Sequence, residues 1–169
     1  MRRALLVLGL FAASRTHAAA GESAVSVGAG FGSFNVTQDA KDISGVGGVV
    51  GLDVTYGVAD AFWLRAAVSG GLYSADGQRT TGGSGTLGVY YAVDVLRYVP
   101  YVVAGVGAFV AGGGAVDTKA RLIIEIGVGV EVQESRALSW GIEARLASFA
   151  SQATVFTVGP RISFKFGYF

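Results

Sequence analysis

From residue 21 onward, apolar side chains recur at every second position, with small or polar residues between them. In RLIIEIGVGVEVQ, residues 121–133, one face includes Leu122 and Ile124, and the other includes Glu125 and Glu131. A period of two residues is that of a β-strand whose two faces meet different surroundings. No convincing 3.6-residue period occurs, so the pattern predicts an all-β chain.

Breaks between the alternating runs divide the chain into eight predicted strands. They lie near residues 23–34, 44–57, 62–74, 83–94, 99–112, 121–133, 138–149 and 155–168. The connections NVTQDAKDI, SADGQRTTG, GGAVDTKA and ASQAT are polar and longer, whereas VADA, VLRY and ESRA are tight. Membrane barrels have short periplasmic turns and longer external loops. The pattern therefore predicts an eight-stranded antiparallel up-and-down transmembrane β-barrel.

Residues 1–20, MRRALLVLGLFAASRTHAAA, have the layout of a cleaved secretory signal peptide. A basic start and a short apolar run precede an A-x-A site at Ala18 and Ala20, which predicts cleavage after Ala20. The run is too short to span a membrane as a helix, and an uncleaved anchor is the alternative. We expect a signal peptide over 1–20 and one outer-membrane barrel domain over 21–169.

Charge is scarce in this chain. Charged residues make up 15% of it, against about 25% for a typical soluble domain, and the mean hydropathy is +0.52. Lipid requires every backbone N–H and C=O to be paired within the protein, so an exported apolar chain without a membrane helix predicts a closed barrel. Cleavage removes three of the 13 basic residues and none of the 12 acidic residues. The net charge of the mature chain is therefore 10 − 12 = −2. We therefore expect no nucleic-acid partner.

The alternation alone leaves two orientations open, because a soluble barrel would bury its apolar face. Three features favour an apolar face in lipid. The polar face is mostly Gly, Ala, Ser and Thr, which suits the narrow lumen of an eight-stranded barrel. Each strand is long enough for a tilted membrane crossing.

The third feature is the distribution of the aromatic residues, which gather at two levels. Beside the short turns or the C-terminus lie Tyr56, Phe62, Trp63, Tyr98, Tyr101, Trp140, Phe166 and Tyr168, and beside the longer loops lie Phe31, Phe34, Tyr73, Phe109, Phe149 and Phe156. Two such levels predict aromatic girdles at the two membrane interfaces.

The charges of the polar face predict a network inside the lumen. Its members are Asp53, Arg65, Asp94, Glu125, Glu131, Glu143, Arg145, Arg161 and Lys165. Turn centres near residues 59, 135 and 152 place Asp53 opposite Arg65, Glu125 opposite Arg145, and Glu143 opposite Arg161. Such pairing would offset the cost of desolvating charges, and it predicts a plugged lumen. A narrow ion path is the alternative.

Two segments carry a resemblance to a known group. VPYVVAGVGAFVAGG, residues 99–113, resembles the P-Y-V-G-A-G-V-G strand of the small outer-membrane barrels of Gram-negative bacteria, the OmpA- and OmpX-like group. ISFKFGYF, residues 162–169, resembles their C-terminal recognition strand. The resemblance implies an outer-membrane location, contact with outer-membrane lipid, and a partner in the barrel-insertion machinery during assembly.

The resemblance also implies a C-terminal assembly signal. Its candidate residues are Phe164, Phe166, Tyr168 and Phe169. In the group, the terminal aromatic shares a face with the apolar residues before it, whereas Phe169 shares its face with Gly167 and Lys165. Either Phe166 takes the terminal role or a bulge shifts the register.

Candidate chemistry is sparse. The sole histidine, His17, precedes the predicted cleavage site, and there is no cysteine, which removes the usual general base and thiol nucleophile. An Asp/Glu-only or Ser–Lys site is the alternative. GSGTLG, residues 83–88, matches a dinucleotide fingerprint, but a strand-like segment follows it, so no cofactor is expected.

These observations predict a non-enzymatic integral outer-membrane barrel with a structural or surface-interaction role and no catalytic or metal site. A small channel for ions or solutes is the first alternative. A secreted soluble ligand-binding barrel is the second.

Overall fold

The computed structural model describes residues 21–38, 41–93, 97–114, 116–149 and 153–167. They form one closed barrel in which each strand pairs antiparallel with its neighbours in the chain and the first strand pairs with the last. The strands are β1 (Ser23–Gln38), β2 (Lys41–Ala59), β3 (Phe62–Ala75), β4 (Gln78–Ala92), β5 (Tyr98–Gly113), β6 (Val116–Gln133), β7 (Leu138–Phe149) and β8 (Ala153–Phe166). The predicted fold class is confirmed. Across the described residues, no helix has the length and apolar character needed to cross a membrane.

We call the end of the barrel that holds Ser23 and Phe166 the terminal end, and the opposite end the distal end. The alternation sets the orientation of every strand: Val50, Leu122 and Ile142 point outward and are 56–63% exposed. The charged residues that alternate with them, such as Glu125, point into the lumen and are buried. The outer surface is therefore apolar, as predicted, and the orientation of a soluble ligand-binding barrel is not present.

The predicted difference in loop length is wrong. At the distal end the strands continue through most of the polar segments, so that two residues separate β1 from β2 and two separate β3 from β4. The β3–β4 turn consists of Asp76 and Gly77, with φ angles of 50° and 75°. An Asp-Gly pair is suited to a two-residue hairpin turn that needs positive φ, which is why this segment pairs instead of looping out.

The predicted girdles are only partly present. Outward-facing aromatics do surround the terminal end, including Tyr56, Tyr98 and Trp140. However, four aromatics that the sequence analysis assigned to the girdles, Phe34, Tyr73, Tyr101 and Phe109, are buried inside the lumen. Their position along the barrel axis was predicted correctly, but the alternation of side chains along each strand places them on the inner face.

The seam between β1 and β8 is continuous except at one place. Pairing runs from Ser23↔Phe166 to Gly28↔Arg161 and resumes at Phe31↔Val158. The gap lies opposite Pro160, which has no N–H to donate to a neighbouring strand. A closed barrel has no edge strand for a proline, so the seam loses local pairing there.

Candidate functional site

The lumen is filled at three levels along the barrel axis. The central network consists of Asp53, Arg65, Glu125, Glu131, Glu143, Arg145 and Arg161. The distal cap consists of Phe34, Val36, Ile43, Val49, Tyr73, Ala75, Phe109, Ala111, Val116, Ile123, Ala147, Ala153 and Val155. The terminal stack consists of Trp63, Tyr90 and Tyr101. Charged side chains thus lie between two apolar layers.

The three predicted hairpin pairs are in contact, although their predicted register is wrong by two residues. For example, Arg65 lies opposite Thr55, and Asp53 lies opposite Ala67. The same displacement separates Glu125 from Arg145 and Glu143 from Arg161. Residues two positions apart share a face, and long side chains reach diagonal neighbours. The pairs therefore still meet. The N–O distance is 3.4 Å for Arg65 and Asp53, 3.7 Å for Arg145 and Glu125, and 2.7 Å for Arg161 and Glu143.

Arg161 has three acidic partners in the central network, as many as Arg65. Its guanidinium lies 3.0 Å from Asp53 Oδ1, 2.7 Å from Glu143 Oε2 and 3.3 Å from Glu131 Oε1. The last contact, through Nε, lacks hydrogen-bond geometry, and Nε has no hydrogen-bond partner. Because Arg161 is only 5% exposed, these carboxylates replace the water that it would otherwise bind.

Arg65 joins the opposite walls of the barrel. From β3 it donates to Glu125 on β6 at 2.9 Å, and it lies 3.5 Å from Glu143 on β7. Arg145 contacts the same two carboxylates, at 3.7 Å and 2.9 Å. Each of these glutamates is therefore shared between at least two guanidinium groups, which limits the cost of burying it.

Hydroxyl groups, which are absent from the predicted network, complete it. Ser139 and Ser163 donate to the two oxygens of Glu131, at 2.6 and 3.0 Å. Arg161 donates to Ser26 Oγ at 2.6 Å, and Tyr101 donates to Glu143 at 3.0 Å. The parity of the serines, which matches that of their charged neighbours, would have identified them.

The terminal stack closes the network toward the terminal end. The rings of Tyr90 and Tyr101 stack with centroids 4.6 Å apart, and Trp63 meets Tyr90 edge to face at 5.4 Å. The Arg161 guanidinium lies 5.3 Å from the Tyr101 ring centroid. A cation over an aromatic face is attracted by the ring quadrupole, so the stack also stabilises Arg161.

The distal cap closes the other side. Phe34 contacts Tyr73 and Phe109, with ring centroids 5.0 and 5.8 Å apart. Above these rings, Gln38 of β1 and Asp117 of β6 form two mutual hydrogen bonds, of 2.6 and 3.0 Å. These strands are not neighbours in the sheet. The contact therefore crosses the mouth of the barrel, and we call it the mouth latch.

Two predicted site residues differ from the others. Asp94 lies outside the described residues. Lys165 is half-buried near the terminal end. Burial raises the pKa of Glu22 there, and the nearby Lys165 ammonium partly opposes that rise. The ion pairs of the central network among the described residues do not include Lys165.

The predicted assembly signal and cleavage site are only partly within the described chain. Phe164 and Phe166 face outward and are about half exposed. β8 ends at Phe166, and Gly167 has a φ of 86°, which ends the extended conformation. Tyr168, Phe169, Ala18 and Ala20 lie outside the described residues. The signal peptide and the assembly signal stay predictions.

Two small cavities adjoin the central network within the part of the barrel that the structure describes. One cavity beside the network is lined in part by Gly28, Arg145 and Pro160 and has a volume of about 30 Å³. Another, toward the terminal end, is lined in part by Glu22 and Trp63 and has a volume of about 40 Å³. Such volumes hold one or a few waters. Among the described residues, no group of three or more His, Cys, Asp or Glu side chains could hold a metal ion.

No family model and no curated relative matches the chain. Solved structures do match it. Neisserial surface protein A has a TM-score of 0.65 and 16% identity, and the match covers 86% of this chain and 97% of that one. The outer-membrane protein OprG of Pseudomonas aeruginosa has a TM-score of 0.62 and 12% identity, over 88% and 97% of the two chains.

Ail, the attachment invasion locus protein of Yersinia pestis, has a TM-score of 0.60 and 14% identity, over 88% of this chain and all of that one. The chain has the fold of the small outer-membrane β-barrels. The neighbours support the predicted outer-membrane location. A fold of this kind hosts unrelated functions, so the lumen and surface must carry the functional argument.

Proposed function

We propose that this protein is a non-enzymatic barrel of the outer membrane that does not conduct through its lumen and serves a structural or surface-interaction role. The observation that carries the proposal is the filling of the lumen. Two apolar layers enclose a central network whose charged groups are engaged with one another. An ion on this path would have to break buried ion pairs and displace aromatic rings.

The chemistry of the lumen supports the absence of catalysis. A catalytic acid or base must reach a substrate. Glu125, Glu131 and Glu143 are each 7% exposed or less and contact arginines. The adjoining cavities, of about 30 and 40 Å³, have no room for a substrate larger than a few waters. The same contacts instead make the barrel rigid.

A bilayer experiment tests this proposal. The barrel is reconstituted with Trp63→Phe, so that outward-facing Trp140 is the sole tryptophan and reports on the lipid. Brominated lipid is expected to quench Trp140, and a planar bilayer is expected to show no discrete current steps. Steps from inserted protein would contradict the closed lumen, and unquenched Trp140 would contradict the membrane placement.

A matched variant distinguishes the distal cap from the central network as the layer that blocks conduction. Phe109→Ala removes one ring of the distal cap and leaves the side chains of the central network unchanged. We expect this variant, like the parent, to show no current steps, because the ion pairs of the central network still block the path through the lumen. Current steps in the variant alone would assign the seal to the cap and not to the central network.

A further inference from the structure

One buried arginine lies outside the central network. Arg121 of β6 points into the lumen and pairs across the sheet with Phe109, at the level of the distal cap. It is 5% exposed, as buried as Arg65 and Arg161. Those two arginines have several carboxylate neighbours, whereas within the described chain no carboxylate lies within 4 Å of the Arg121 guanidinium.

The one hydrogen bond of Arg121 within the described chain joins Nη1 to the backbone carbonyl of Lys119, at 3.2 Å. A guanidinium has five N–H donors. Its remaining nitrogens are not among the fully enclosed atoms without partners, so they keep some accessible surface. A buried cation without a counter-charge is costly. Nε and Nη2 of Arg121 therefore have no partner within the described chain and keep accessible surface.

A second cation lies beside it. Lys119 pairs with buried Ala111, which places it on the lumen side, and it is exposed at the mouth. The carboxylates that the structure describes at this end are engaged elsewhere: Asp117 with Gln38, Asp76 with Lys41, and Asp42 with Thr37. Two inward-facing cations thus share one mouth with no ion-pair partner among the described residues.

We propose that Arg121, with Lys119, forms an anion site at the distal mouth that takes a phosphate or sulfate group. The planar fork of Arg121 matches the oxygens of a tetrahedral oxyanion. A doubly charged oxyanion would neutralise both cations, which a single carboxylate would not. The surrounding cap is apolar, so the interaction with Arg121 is less screened than one at an exposed surface.

The test uses the barrel refolded in zwitterionic micelles, with inorganic phosphate titrated against chloride at equal ionic strength. The unfolding midpoint is expected to rise and to saturate. At a concentration 100 times the Kd, the folded-to-unfolded ratio rises about 100-fold. Arg121→Gln is expected to abolish the rise. Arg79→Gln, which removes an exposed cation at the same end, is expected to retain it.

An equal rise in Arg121→Gln, or a parent that responds neither to inorganic phosphate nor to a phosphate-monoester lipid, would overturn the proposal. If Arg121→Gln does not fold, the Arg121 Nε–H resonance of the parent replaces it as readout, and an unchanged resonance at saturating phosphate overturns the site. Doping the micelles with a phosphate-monoester lipid identifies the source. A response to the lipid but not to inorganic phosphate would assign the site to a headgroup.

Discussion

The central network and the distal cap fill the same lumen by opposite means. In the network, the guanidinium groups of Arg65, Arg145 and Arg161 meet four carboxylates within 4 Å. In the cap, aromatic and aliphatic side chains pack against one another, and Arg121 has no such partner among the described residues.

The comparison shows what a narrow barrel requires of its interior. A lumen can be filled by charged or by apolar side chains, but each buried charge needs oppositely charged groups next to it. In the network, most ion pairs join different strands, as Arg65–Glu143 and Arg161–Asp53 do, so they also hold the wall together. In the cap, neighbouring rings provide contact and no counter-charge. Substitutions in the two layers should therefore fail for different reasons.

The largest loss is expected from Arg161→Met. The substitution keeps much of the side-chain volume but removes the one ion-pair partner that Glu131 has among the described residues and one of those of Asp53 and Glu143. Breaking a buried ion pair costs roughly 3–5 kcal/mol, and with three carboxylates affected we expect about 5 kcal/mol. The measurement is the free energy of unfolding from urea titration of the barrel in lipid vesicles.

An exposed ion pair provides the control for that variant. Arg97 and Glu134 lie 3.1 Å apart at the terminal end, with side chains 61% and 53% exposed. Arg97→Ala is expected to cost at most about 1 kcal/mol, because water solvates the glutamate that remains. Equal losses in the two variants would contradict the view that burial makes the central network decisive.

In the cap, Phe109→Ala is expected to cost about 3–4 kcal/mol. Phe109 is 1% exposed and contacts Phe34, so truncation leaves a cavity that apolar neighbours cannot fill. Phe164→Ala is the matched control, since that ring is 53% exposed on the outer face and can be replaced by lipid. A loss for Phe109→Ala no larger than the control value, in the same urea assay, would show that the cap is loosely packed.

The faces of the strands were predictable from the sequence, because parity within a strand is a local property. It placed Leu122 and Ile142 in the outer surface and Glu125 in the lumen. The strand register was harder to predict. An error of one residue in a turn centre displaces the pairing by two residues, as it did for Asp53 and Arg65. The error leaves the faces unchanged, so the contacts were predicted better than the alignment.

The missed contacts of the central network depend on closure of the barrel. Arg65–Glu125 joins strands that are not neighbours in the sheet, and no hairpin argument predicts it. The cap was missed for another reason: a lumen defined by its polar residues leaves no place for Phe34 or Tyr73. In both cases, the alternation along the strand assigns the residues to the inner face. The assumption that an inner face must be polar outweighed that assignment.

The smallest effect is expected at the mouth latch. Gln38→Ala removes both hydrogen bonds to Asp117, and because the contact is exposed we expect a loss of about 1 kcal/mol or less. The hairpin ends should open locally, which amide hydrogen exchange detects as faster exchange. Val36 and Val116, buried beneath the latch, should exchange faster, whereas Ile126, at the level of the network, should not change. If the Val36 and Val116 amides exchange as in the parent, the packing of the cap alone holds the mouth closed, and the latch contributes nothing to it.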